Sequence, residues 1–284
     1  MVRGAMNELL DVTTIRALAR EIDLTPTKQL GQNFVIDGNT VRRIVSLAGV
    51  GPTDVVLEIG PGLGSLTLGL LATGASVIAI EIDSKLAGLL ESTVATHQPA
   101  ALERLTIINA DALTISELPM QPSTVVANLP YNVSVPVILH LLEQFPSWQT
   151  GLVMVQLEVA DRLVAKPGSK VYGVPSAKLA WYAESARVGT VPPSVFWPAP
   201  NVDSGLVRIT RHAEPEANRQ RTFALVDAAF SQRRKMLRSA LAGVYSSSAA
   251  ASAALESVGI DPTLRGEMLG IAEFAKLANA GDVE

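Results

Sequence analysis

From Val55 onward the chain alternates short apolar runs with helical stretches, and no other feature limits its fold so strongly. Val55–Ile59, Val77–Ile80, Leu105–Ile108, Thr124–Ala127 and Val153–Gln156 are the apolar runs. Leu66–Leu71, Ser84–Val94 and Pro136–Leu142 carry helical spacing between them. Short strands apolar on both faces and separated by helices build a parallel sheet covered on each side. Two amphipathic helices, around Thr14–Ile22 and Thr40–Leu47, precede this region, and Leu206–Ile209 reads as a late strand. After Arg211 the strand signals stop. Asn218–Phe230, Ser231–Val244, Ala249–Val258 and a last pair opened by Asp261-Pro262 read as helices. The expected architecture is an α/β sheet domain over residues 1–211 and a small all-helical domain over 212–284.

Composition removes several classes of function. There are no cysteines, so disulfides, thiolate metal sites and cysteine nucleophiles are excluded, in keeping with a reducing compartment. His97, His140 and His212 stand far apart, and no metal site is expected. Residues 59–80 carry no charge, a stretch long enough to cross a bilayer. Five glycines and Pro61 break it into loop, helix, turn and strand, so the expectation is a soluble, cytoplasmic protein without a membrane partner.

Glu58-Ile59-Gly60-Pro61-Gly62-Leu63-Gly64 leaves one predicted strand and enters a predicted helix. Glycines there allow a sharp turn and the close approach of a ligand. A phosphate clamp gains nothing from Glu58, and no Gly-Lys-Ser/Thr follows. An acidic glycine loop suits a cationic ligand lacking phosphate, such as S-adenosylmethionine. Glu81, about twenty residues beyond the loop, ends the next strand, where a carboxylate can accept from two ribose hydroxyls. Asp111 follows the third strand, placed for an adenine amino group. Each carboxylate alone is more often a helix cap or a solvated residue. Three at successive strand ends point to one ligand.

The fourth strand runs into Asn128-Leu129-Pro130-Tyr131. Pro130 keeps Leu129 out of the helical region, so the turn stays extended. The Leu129 carbonyl and the Asn128 amide are two acceptors, and Tyr131 is a flat face. That set suits methylation of an adenine's exocyclic amine, whose lone pair is delocalised into the ring. Acceptors on its protons favour the pyramidal form that can attack a sulfonium methyl, while stacking holds the unpaired base.

With Gly31-Gln32-Asn33-Phe34, Glu81-Ile82-Asp83, Asp111-Ala112, Tyr172-Gly173, the Phe196–Ser204 stretch and Gln232-Arg233-Arg234-Lys235, these motifs stand in the order found in the ribosomal RNA adenine dimethyltransferases. The chain resembles that family over roughly residues 25 to 280, most closely its bacterial small-subunit branch. The resemblance implies a Rossmann-like methyltransferase sheet and S-adenosylmethionine as cofactor. Its implied substrate is a pair of adjacent adenosines near the 3′ end of small-subunit rRNA in an assembling subunit. It places Asn33, Val35, Gly60, Glu81, Ile82, Asp111, Ala112 and Asn128 around the cofactor. Asn128, Leu129 and Pro130 form the amine-binding turn, with Tyr131 and Phe196 stacking the base. Val35, Leu157, Pro175 and Ala177 depart from the usual residues, away from the catalytic positions.

Charge is unevenly spread. Residues 31–150 hold four basic and ten acidic side chains, whereas 205–240 hold eight basic and three acidic. Arg233, Arg234, Lys235 and Arg238 are therefore the expected rRNA contacts; a solvated helix face explains the same charges. Three other readings stay open from the residues: a large-subunit rRNA methylase conferring antibiotic resistance, a non-catalytic rRNA-binding assembly factor, and an NAD-dependent dehydrogenase.

Overall fold

The computed structural model describes residues 9–25, 32–130 and 133–280. Helices α1 (Val12–Glu21), α2 (Gly38–Ala48), α3 (Ser65–Leu71), α4 (Ser84–His97), α5 (Ser134–Gln144) and α6 (Leu157–Leu163) alternate with strands. The strands are β1 (Phe34–Val35), β2 (Val55–Ile59), β3 (Ser76–Glu81), β4 (Leu105–Asn109), β5 (Thr124–Asn128) and β6 (Thr150–Gln156). Then follow α7 (Val174–Tyr182), β7 (Ala183–Val191), β8 (Phe196–Trp197) and β9 (Ser204–Arg211). Helices α8 (Arg219–Ser231), α9 (Leu237–Ala240), α10 (Ser248–Ser257) and α11 (Ile271–Asn279) complete the chain. Short polar side chains start many of the helices: Asp37, Asp83, Asn218 and Ser247 each accept a backbone N–H of the first turn.

The main sheet runs β4-β3-β2-β5-β6-β9-β7, with β2 to β6 parallel. The sheet is not wholly parallel, because β9 lies antiparallel to β6 from Thr150↔Thr210 to Gln156↔Ser204. Strand order reverses between β2 and β5, which opens a crevice beyond their carboxyl ends, the usual ligand site of such sheets. A separate ribbon pairs β1 with β8, Val35 opposite Phe196. The uncharged run 59–80 has a plain cause: every residue of α3 and nearly all of β3 is buried, where an unpaired charge is costly.

Two compact units result, Met1–Ala160 with Ala186–Arg211, and Asp161–Ser185 with His212–Glu284. The expected single boundary near His212 therefore changes, since residues 161–185 join the helical unit. Tyr172 and Ala177 from that segment sit in one apolar core with Leu225, Leu237, Leu255 and Phe274. Two expected helices also differ. Over Ser231–Val244 only α9 is helical, because Met236 takes an extended conformation (ψ 150°) and caps it. Asp261 does not start a helix; its carboxylate closes a turn by accepting the Thr263 backbone N–H at 2.8 Å and hydroxyl at 2.7 Å. A one-turn 3-10 helix at Gly266–Met268 and then α11 follow.

Candidate functional site

The glycine loop bends through three positive φ angles, +67° at Gly60, +57° at Gly62 and +94° at Gly64. At Gly62 a side chain is barred twice over, since a Cβ would lie 2.8 Å from the Phe34 ring. Phe34 belongs to the β1–β8 ribbon and its ring stacks on Trp197, so the ribbon and the loop close on each other.

Glu81 ends β3 and is buried. Its Oε2 accepts the Gly62 N–H at 3.1 Å and its Oε1 the Asp83 N–H at 3.0 Å. Burial pushes its carboxyl above the ordinary range, against these two bonds. Each oxygen keeps a second lone-pair direction for a ligand donor. Glu58, at the end of β2, is 1% exposed, and burial pushes it up to about 8; the Thr67 hydroxyl offsets part of this, and the Glu81 charge adds to it. Its Oε2 has no hydrogen-bond partner among the described residues. Asp83 caps α4, so within Glu81-Ile82-Asp83 the third residue has structural work. Asp111 spends Oδ1 on the Leu113 N–H at 2.9 Å.

These groups surround one cleft. Asn33, Val35, Gly60, Glu81, Ile82, Asp111, Ala112, Asn128 and Pro130 all line it, as do Glu58 and Asp83. Every residue expected at the cofactor is thus brought together. Ile82 is 57% exposed, an apolar face at the mouth of an acidic pocket. Leu86, Leu113, Val133 and Val137 also line the cleft and were not singled out from the sequence. Their only signal is their place just beyond motif loops, where apolar residues ordinarily mean core. S-adenosylmethionine fits this set: buried carboxyl groups that can accept from its donors, an orphaned carboxyl oxygen, and a loop open to close approach.

Asn128, the last residue of β5, donates Nδ2–H to the Asn33 carbonyl at 3.0 Å. The amide oxygen is thereby the end left to accept. Leu129 is buried, its N–H held by Met154 O at 3.0 Å, and it does not line the cleft. Tyr131 lies outside the described residues, as does Gly31. Phe196 differs from expectation. It is 3% exposed, packs in the core of the sheet unit and does not line the cleft. Its strand pairs with β1, which sets Phe196 directly beside Val35.

The basic stretch is also less free than its charge count implies. Arg208 donates to the Leu47 carbonyl, Arg211 to Trp148 O at 2.9 Å and to Leu142 O, and Arg219 to the Tyr182 hydroxyl at 2.7 Å. Arg233 binds the Glu267 carboxylate, Tyr172 O and Lys170 O. Arg234, Lys235 and Arg238 are exposed.

Among the described residues no group of His, Asp or Glu is arranged to hold a metal, and no helix is long and apolar enough to cross a membrane.

The family model described as ribosomal RNA adenine dimethylase matches residues 24–281. The chain is 61% identical over 280 residues to the ribosomal RNA small subunit methyltransferase A of Cutibacterium acnes, covering 96% of this chain and 94% of that one. It is 60% identical to the protein of the same name from Leifsonia xyli, covering 96% and 99%. Among solved structures, a dimethyladenosine transferase from Plasmodium falciparum superposes with a TM-score of 0.73 at 24% identity, over 86% of this chain and 95% of that one. The 23S rRNA methyltransferase ErmE superposes at 0.63 with 27% identity, over 87% and 99%.

Proposed function

Because this chain belongs to the ribosomal RNA adenine dimethylase family, we propose that it dimethylates the exocyclic amines of two adjacent adenosines near the 3′ end of small-subunit rRNA. Its sheet is the Rossmann-like fold of S-adenosylmethionine-dependent methyltransferases, and the relatives from Cutibacterium acnes and Leifsonia xyli are named as small-subunit enzymes. The relatives at about 60% identity favour that branch over the large-subunit reading. The substrate is rRNA within an assembling subunit, in the cytoplasm.

One observation carries the chemical reading: the Asn128 Nδ2 end is turned to the Asn33 carbonyl, to which it donates one hydrogen bond. The side chain therefore presents Oδ1, a neutral acceptor, beside the cleft. S-adenosylmethionine supplies an electrophilic methyl on a sulfonium. Asn128 Oδ1 and the Leu129 carbonyl accept from the target amine, draw its protons aside and leave the nitrogen lone pair pointing at the methyl. The methylated amine is strongly acidic and loses its proton without a strong base. One proton remains after the first transfer, so one acceptor still holds the amine for the second. Tyr131 supplies the stacking face. Glu81 takes the ribose and Asp111 the adenine amine through its second oxygen. The sheet unit carries out the transfer, and the helical unit contacts RNA.

The test is methyl transfer to small subunits lacking the modification, with the digested rRNA read by mass spectrometry. N6,N6-dimethyladenosine at two adjacent sites is expected, and Asn128→Ala should slow both transfers by on the order of 10²-fold, as for other lost transition-state hydrogen bonds. Monomethyladenosine alone after long incubation, or full activity in Asn128→Ala, refutes the reading.

A further inference from the structure

Arg233 occupies an unusual place for a residue in a basic cluster. Its Nε and Nη2 converge on Glu267 Oε2 at 2.8 Å, its Nη1 donates to Tyr172 O at 2.7 Å and its Nη2 to Lys170 O at 2.8 Å. The charge is neutralised by Glu267, and the donors are directed inward. Nearby, the Gly168 N–H donates to the Glu267 carbonyl at 2.8 Å, and Ser169 N–H closes a turn on Lys166 O at 3.2 Å. The 166–172 loop is thus tied to the Arg233 and Glu267 segments by three hydrogen bonds, and the Arg233–Glu267 ion pair joins those segments to each other, all inside the helical unit. Lys166, Lys170, Arg234 and Lys235 are exposed, and none of their side chains makes a hydrogen bond or ion pair among the described residues.

We propose that Arg233 is a positioning residue: it holds the 166–172 loop so that Lys166 and Lys170 join Arg234 and Lys235 in one phosphate-binding surface for RNA. This rests on the rRNA reading above and extends it to a loop forty sequence positions and more away from α8. A guanidinium whose three nitrogens all donate to protein oxygens fixes geometry, while four solvated ammonium and guanidinium heads remain to displace counterions. The partner chemistry follows from charge alone, because the four unpaired groups all carry the same sign.

The experiment measures binding to undermethylated small subunits, and to mixed-sequence duplex RNA, as a function of salt. Calorimetry with S-adenosylmethionine reports the other unit. Lys166→Gln/Lys170→Gln should reduce the log–log salt slope by about 1.4–1.8, the value for two lost phosphate contacts, with cofactor affinity unchanged. Arg233→Met should reduce the slope by the same amount, and Arg233→Lys less. In the Lys166→Gln/Lys170→Gln background Arg233→Met should reduce it no further. An unchanged slope in the lysine pair overturns the proposal. So does a further drop of about 0.7–0.9 on adding Arg233→Met, because Arg233 is then itself a phosphate contact. An effect on subunits that is absent on duplex RNA makes the surface a protein contact and also overturns it. If Arg233→Met does not fold, the lysine pair decides alone. Salt-independent binding by the unmodified protein refutes the rRNA reading itself.

Discussion

Replacing Glu58 with glutamine should stabilise the sheet unit, increasingly so as pH rises. The side chain is 1% exposed, and burial pushes its carboxyl up to about 8 from an ordinary 4.5. The folded protein therefore holds it neutral at pH 7, whereas the unfolded chain ionises it. A carboxyl raised on folding contributes stability that is fully present below the unfolded value and is lost as pH rises through the folded one. At 1.36 kcal/mol per unit, the loss between pH 5 and pH 8 is roughly 3 kcal/mol. Glutamine keeps the shape and has no proton to lose, so this loss disappears in Glu58→Gln. For a unit of this size about 3 kcal/mol corresponds to about 6–12 °C in Tm. The assay is thermal unfolding of both proteins without cofactor from pH 5 to pH 8.5. Glu81 is also raised by burial and tilts both curves, so the difference between them reports Glu58 together with its interaction with the Glu81 charge. Parallel curves would refute the reasoning, since they mean that Glu58 is solvated or already ionised.

Glu81→Ala should weaken S-adenosylmethionine binding by about 1.5–3 kcal/mol in calorimetry, the worth of a charge-assisted hydrogen bond; unchanged affinity removes Glu81 from the site. Gly62→Ala should abolish tight cofactor binding, because its Cβ meets the Phe34 ring at 2.8 Å with φ at +57°; wild-type affinity shows that the loop does not need that backbone. Phe196→Ala should cost about 3–5 kcal/mol in urea unfolding as a lost core side chain; loss of activity at full stability restores it to the base-stacking role.

The cofactor side of the site was legible because its residues follow from strand ends. Each of Glu58, Glu81 and Asp111 closes an apolar run, and a parallel sheet aligns such ends on one edge. Asn128 was legible as an acceptor, though its donation to Asn33 depends on a ribbon of two residues that no periodicity reveals. β7 escaped notice because Ala-Glu-Ser-Ala-Arg-Val-Gly-Thr-Val has no continuous apolar run and is half-exposed, as an edge strand tolerates. The membership of residues 161–185 in the helical unit is a long-range packing fact. Arg233 illustrates the limit of charge counting: in sequence it is one of four cations, and only its three oxygen partners separate it from Arg234. Phe196 was reached only through its motif, and its burial follows from the pairing of β8 with β1, which no periodicity reveals.

The place of β9 has a consequence for how the chain is made. It fits between β6 and β7, although both are synthesised before it. Gln156 and Ser204 pair across a gap of 48 positions, about 2–10 s of elongation at about 5–20 residues per second. Through that interval the nascent sheet presents β6 as a bare apolar edge, with β7 emerged and unpaired, the condition in which strands join wrong neighbours. A ribosome pausing before residue 204 would prolong that exposure. One emerging past residue 211 ends it, and the last segment to enter the sheet is the one that seals it.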